Sequence, residues 1–69
     1  MRKMLNTLFV TTEDAYLSLE NENIVVHVGE EKRAQYPLRM LEGILTFSYK
    51  GASPALMGAC AERGIGLTF

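Results

Sequence analysis

Apolar and polar residues alternate in three successive runs of the first half of the chain, and the period changes to a helical one only near residue 53. That switch constrains the fold more than any other feature, because a period of two buries one face of a strand and a period of 3.6 buries one stripe of a helix. Ala15, Leu17 and Leu19 share one face of the first alternating run, Ile24, Val26 and Val28 one face of the second, and Ala34, Tyr36 and Leu38 one face of the third. Val25 and His27 fall opposite. Polar breaks at residues 11–14, 20–23 and 29–32 separate the runs, and asparagines in the second of them tolerate the left-handed backbone of tight turns. The segment at residues 5–10, Leu-Asn-Thr-Leu-Phe-Val, has the β-branched and aromatic content of a further strand. These segments predict a four-stranded antiparallel meander over residues 5–10, 15–19, 24–28 and 33–38. Pro37 lacks an N–H and should end its strand or lie at an edge.

Residues 38–42 are short enough for one helical turn, with Gly43 as its stop. Residues 44–49, Ile-Leu-Thr-Phe-Ser-Tyr, form a nearly continuous apolar run, the pattern of a central strand covered on both faces. A helix follows over residues 53–63. Ser53 suits its N-cap, Pro54 its first turn, Arg63 the negative end of its dipole and Gly64 the position just after it. Leu56, Met57, Cys60 and Ala61 make the predicted buried stripe. Residues 65–69 read as a strand, and strand, helix, strand in this order implies a right-handed crossover between parallel strands. The expected fold is α+β, mostly β, as one small domain over residues 1–69. The chain ends at Phe69 within an apolar segment, which predicts an N-terminal piece of a longer protein.

Size and charge narrow what such a domain does. A chain of 69 residues buries only about 60% of its unfolded surface, so stability is marginal and small domains of this kind lean on disulfides, metals or partners. The single Cys60 closes no internal disulfide and completes no zinc site alone. A partner is the remaining support. Seven Lys and Arg against eight Asp and Glu leave no global basic field, so any DNA contact must be local. No run approaches the roughly 20 apolar residues that span a bilayer, and polar residues interrupt the stretch after Arg2 and Lys3 where a signal peptide would need continuity. The expected location is cytoplasmic, where a free thiol stays reduced.

Catalytic constellations are not apparent in the spacing. His27 has no regularly placed Cys, Asp or Glu partner for a metal site and reads as a strand residue facing solvent or the sheet's other side. Cys60 falls on the apolar stripe of the helix and reads as a small core residue rather than a nucleophile. Glu13 with Asp14, Glu20 with Glu22, and Glu30 with Glu31 sit in predicted turns, where they solvate loops and blunt edges. The glycines at positions 64 and 66 follow a helix instead of preceding one, so they form no phosphate loop. Ser53 with the adjacent Lys50 makes a weak anion site conceivable, though capping is the simpler role.

The residues nevertheless carry a specific resemblance. Leu5-Asn6-Thr7-Leu8-Phe9-Val10-Thr11-Thr12-Glu13-Asp14-Ala15-Tyr16-Leu17-Ser18-Leu19 closely resembles the start of the CRISPR-associated integrase of spacer acquisition, the first-numbered Cas protein, especially its subtype I-C members. Leu41-Glu42-Gly43-Ile44, then Gly51-Ala52-Ser53-Pro54-Ala55-Leu56-Met57 and Cys60-Ala61-Glu62-Arg63-Gly64-Ile65, looks like the strand–helix–strand end of the same domain. The resemblance implies a β-rich N-terminal domain followed, in the whole protein, by a larger helical domain. The implied activity is a DNA endonuclease and integrase that inserts spacers into the CRISPR array, in antiviral defence. Its Mg²⁺ or Mn²⁺ ligands belong to the helical domain, so neither His27 nor Glu42 takes their place and the present chain is expected to be inactive. Implied partners are a second copy of the chain, the second-numbered Cas protein and double-stranded DNA. Some family members carry an aromatic wedge near the first hairpin; here that turn holds Thr12 without a ring. Thr12 and Lys50 are the DNA contacts this reading offers. The alternative is a free-standing β-rich interaction module, similar by convergence and without catalysis.

Overall fold

A computed structural model describes the backbone of residues 2–4 and 6–69 and the side chains from Asn6 onward. Among the described residues, seven strands and one α-helix follow in the order β1 (Arg2–Met4), β2 (Thr7–Val10), β3 (Ala15–Glu20), β4 (Asn23–Val28), β5 (Glu31–Pro37), β6 (Gly43–Thr46), α1 (Pro54–Arg63) and β7 (Gly66–Thr68). A single 3-10 turn, Leu38–Met40, joins β5 to β6. The fold is α+β and mostly β, as the residue pattern requires.

The strands divide into two sheets. β3, β4 and β5 form an antiparallel meander, while β1, β2, β6 and β7 form a second sheet in that order. The meander therefore has three strands, not four. The segment expected as its first strand pairs elsewhere: β2 lies antiparallel to β1 and parallel to β6, with Leu8 opposite Ile44 and Val10 opposite Thr46. Leu5, included in the expected strand, lies outside the described residues. The physical reason is the core: Leu8 and Val10 are fully buried, and the second sheet aligns them with Ile44 and Thr46 facing the inner side chains of the meander.

One hydrophobic cluster fills the space between the sheets, with Ala15 and Leu17 from β3, Ile24 and Val26 from β4, Leu8 and Val10 from β2, and Ile44 from β6. Leu38 and Leu41 close it at the β5–β6 connection. Asn21 and Glu22, at φ 49° and 64°, make the tight turn between β3 and β4, which matches the right-handed twist of the strands they join. β5 ends at Pro37 and pairs only with β4, so the proline sits at an edge. Its charged Glu31, Lys32 and Arg33 are exposed along that edge, a pattern that discourages further pairing. One register shift opposite Val26 and His27 bulges this strand.

The crossover runs as expected, with β6 and β7 parallel and α1 between them in sequence. Ser53 caps the helix by accepting a 3.2 Å hydrogen bond from the Leu56 N–H. Gly64, at φ 70°, ends it in the left-handed conformation, and the Ile65 N–H donates to the Cys60 carbonyl at 2.9 Å. α1 packs on β3 and β7, one strand from each sheet. Only Leu56 and Cys60 of the expected stripe are buried; Met57 is 42% exposed and Ala61 also faces outward. Ala59 is packed against the core instead, since a helix this short, resting across two sheets, covers a narrower stripe turned by one position.

β6 is central in its sheet, between β2 and β7, but shorter than expected and not covered on both faces. Ile44 and Thr46 are buried, Leu45 is half-buried, and Phe47 and Tyr49 beyond the strand are 63% and 75% exposed. The continuous apolar run reflects an inner face against the core and an outer face that this chain leaves open. Leu38–Met40 supplies the expected helical turn, while Gly43 begins β6 rather than stopping a helix.

Candidate nucleic-acid interface

Two loops meet at one end of the fold because their backbones bond to each other. The Phe47 N–H donates to the Val10 carbonyl at 2.9 Å and the Tyr49 N–H to the Glu13 carbonyl at 3.0 Å, so the segment after β6 continues alongside the exit of β2. Thr12 closes the first turn, its carbonyl accepting from the Ala15 N–H at 3.2 Å. Lys50 is exposed on the neighbouring loop. The structure thus brings the loops of Thr12 and Lys50 together, although they are 38 positions apart in sequence.

The second loop is held from below. Ser48 and Thr46 are buried, their hydroxyls lie 3.1 Å apart, and the Ser48 N–H donates to Thr46 Oγ1 at 3.2 Å. With Ser48 turned inward, the flanking Phe47 and Tyr49 rings turn outward. Farther on, Gly51, at φ 73°, redirects the chain onto the edge of β3. There the Leu17 N–H donates to the Gly51 carbonyl at 3.1 Å and the Ser53 N–H to the Leu17 carbonyl at 2.8 Å. This short bridge occupies the meander's other edge and fixes where α1 begins. Ser53 is thereby committed to the cap and the bridge, the structural role expected for it.

Electrostatics at this end are mixed, since Lys50 shares it with Glu13 and Asp14. One lysine against two carboxylates makes no basic surface. The apolar run predicts a strand interior at both rings; Ser48 between them, buried against Thr46, leaves them facing outward instead.

The other chemistry-bearing residues lie apart. His27 is on the face of the meander opposite the core, with Nε2 2.9 Å from Ser18 Oγ. Glu42 accepts from Asn6 Nδ2 at 2.7 Å, tying the β1–β2 connection to the start of β6. Glu20 pairs with Lys32, Glu31 with Arg33, and Glu22 with Arg63. Among the described residues, no three His, Cys, Asp or Glu side chains converge in a group that could hold a metal ion. No helix among them is long and apolar enough to cross a membrane.

Cys60 sits in the core, and burial pushes its thiol up from the ordinary value, with Arg63 opposing the shift. A raised folded-state value means that the neutral thiol is favoured in the fold. Its contribution to stability is present below the unfolded thiol's ordinary value and is lost as pH rises through the raised one. Alkylation by iodoacetamide at pH 8 should therefore track unfolding. Rapid labelling of the folded chain would place the thiol at the surface.

Comparison with known proteins adds what the geometry leaves unnamed. A family model described as "CRISPR associated protein Cas1" matches residues 8–69. The chain is 45% identical over all 69 residues to "CRISPR-associated endonuclease Cas1 1" of Chlorobaculum tepidum, covering 20% of that protein. It is 42% identical over 65 residues to "CRISPR-associated endonuclease Cas1 2" of Rhodospirillum rubrum, covering 94% of this chain and 19% of that one. The chain thus spans about a fifth of the length of these relatives. Identity of this extent leaves no room for likeness by convergence.

Proposed function

The chain belongs to the CRISPR-associated Cas1 family, and on that premise we propose that it is the dimerising, DNA-positioning domain of a metal-dependent DNA endonuclease and integrase that inserts spacers into the CRISPR array. The observation that carries the reading is the family match across residues 8–69, together with relatives named as endonucleases. The likeness of residues 5–19 to subtype I-C members belongs to the same proposal, as do a cytoplasmic location and a partner in the second-numbered Cas protein.

Mg²⁺ or Mn²⁺ is the cofactor this reading gives the longer protein. The residues described here do not fit such a site, because no three potential ligands converge. In this reading the domain's own work is assembly and placement. The outward Phe47 and Tyr49 rings, with half-buried Phe9 and Leu45, support association with a second copy, since apolar sheet faces of this kind are usually covered. Double-stranded DNA is placed at the end formed by residues 11–14 and 47–51, where Thr12 and Lys50 are offered as contacts.

Reversing Lys50 to Glu should weaken duplex binding by the longer protein and reduce the slope of log affinity against log salt by about one. Equal affinity and slope in the variant would remove Lys50 from the contact surface.

A further inference from the structure

The turn between β3 and β4, the 3-10 turn after β5 and the end of α1 meet around a cavity of about 130 Å³ lined by Asn21, Glu22, Asn23, Pro37, Arg39 and Arg63. We propose that Arg39 and Arg63 form a phosphate clamp for a nucleic-acid backbone at this turn, a site separate from the loops of Thr12 and Lys50.

The placement of cations carries the inference. Lys32 and Arg33 are paired to Glu20 and Glu31 on the β5 edge, whereas Arg39 makes no ion pair among the described residues and is exposed. Arg63 reaches from the last turn of α1 to Glu22, whose side chain is 80% exposed. Two guanidinium groups therefore border one small polar cavity with a single carboxylate between them, a local excess of positive charge on a chain of net charge −1. Guanidinium forks match the oxygens of phosphate and carboxylate alike. A carboxylate resting on Arg63 marks where an oxyanion binds, and its exposure leaves it free to swing away.

The walls are held in place. The Leu38 N–H donates to the Glu22 carbonyl at 3.1 Å and the Leu41 N–H to the Leu38 carbonyl at 2.9 Å, fixing the base of Arg39 against the turn. Asn21 and Glu22 adopt positive φ, and Asn21 and Asn23 line the cavity beside the arginines. A volume near 130 Å³ leaves room for a phosphate group beside the two arginines.

The nucleic-acid occupant rests on the DNA-positioning reading, while the phosphate chemistry does not. β3 separates this cavity from the Thr12 turn by its six residues, roughly 20 Å at 3.3 Å per residue.

The test is a titration of the ¹⁵N-labelled chain with inorganic phosphate and, separately, with a short DNA duplex, in wild type, Arg39→Ala and Glu22→Gln. Both probes should shift Asn21, Asn23, Arg39 and Arg63. Arg39→Ala should weaken duplex binding several-fold and lower the salt slope by about one, whereas Glu22→Gln, which removes the competing carboxylate, should tighten it. A merely structural Glu22 would not give that gain. Shifts from DNA confined to residues 11–14 and 47–51 would overturn the clamp and leave DNA positioning standing. Shifts at the cavity from phosphate with no response to DNA anywhere would overturn the nucleic-acid occupant and the positioning reading together, assigning the site to a free phosphate. No response at the cavity to either probe would overturn the site itself.

Discussion

Replacing Leu56 with Ala should lower the free energy of unfolding by roughly 2–5 kcal/mol, the range for removing a fully buried leucine. Leu56 is completely buried on α1, and the helix rests on one strand from each sheet. The loss is large for this chain. At about 0.05–0.15 kcal/mol per residue, a domain of 69 residues has roughly 3–10 kcal/mol in total. A helix of ten residues has little stability of its own in water, so its order depends on this contact. Urea titration monitored by circular dichroism would show the midpoint falling with little change in slope. Met57→Ala is the control: at 42% exposure, it should shift the midpoint far less. The reverse ranking would mean that α1 presents its other side to the sheets.

Thr46→Val should destabilise by about 1–3 kcal/mol although the side chain keeps its shape, because the effect is one of unmet hydrogen bonding. Thr46 Oγ1 accepts from the Ser48 N–H and lies within hydrogen-bonding distance of the Ser48 hydroxyl, with both residues buried. Valine leaves both Ser48 groups without that partner in a site closed to water. Amide exchange should rise at Ser48 and Tyr49, whose backbone holds the exposed ring loop against residue 13. Unchanged stability and unchanged exchange would show that the loop is anchored elsewhere.

Local chemistry made much of this architecture readable. The helix from Pro54 to Arg63 follows from Ser53, Pro54 and Gly64, each of which satisfies a specific end requirement within a few residues. The alternation of β3 and β4 likewise identified the buried Ala15, Leu17, Ile24 and Val26. What alternation does not encode is which strand lies alongside. Residues 7–10 have the pattern of a strand in either sheet, and the polar break at 11–14 looks like a hairpin. The choice of β6 as neighbour is made by contacts more than thirty residues away, where Leu8 and Val10 find Ile44 and Thr46. The run at 44–49 is ambiguous for a related reason, since apolar content alone does not separate a residue facing the core from one facing an open surface. Ser48, polar yet buried, distinguishes the two only once its bond to Thr46 is seen. At the candidate interface, Thr12 and Lys50 could each be singled out, but their proximity depends on the Tyr49–Glu13 backbone bond. Arg39 and Arg63 were harder still, because a 3-10 turn, a helix end and a strand turn must all be placed before the two guanidinium groups share a cavity.

The proposal that a second copy completes this domain is tested most directly by sedimentation equilibrium of the purified chain. A concentration-dependent rise toward twice the 7.7 kDa chain mass is the result predicted. A single species of one chain mass, persisting to the highest attainable concentration, would contradict it.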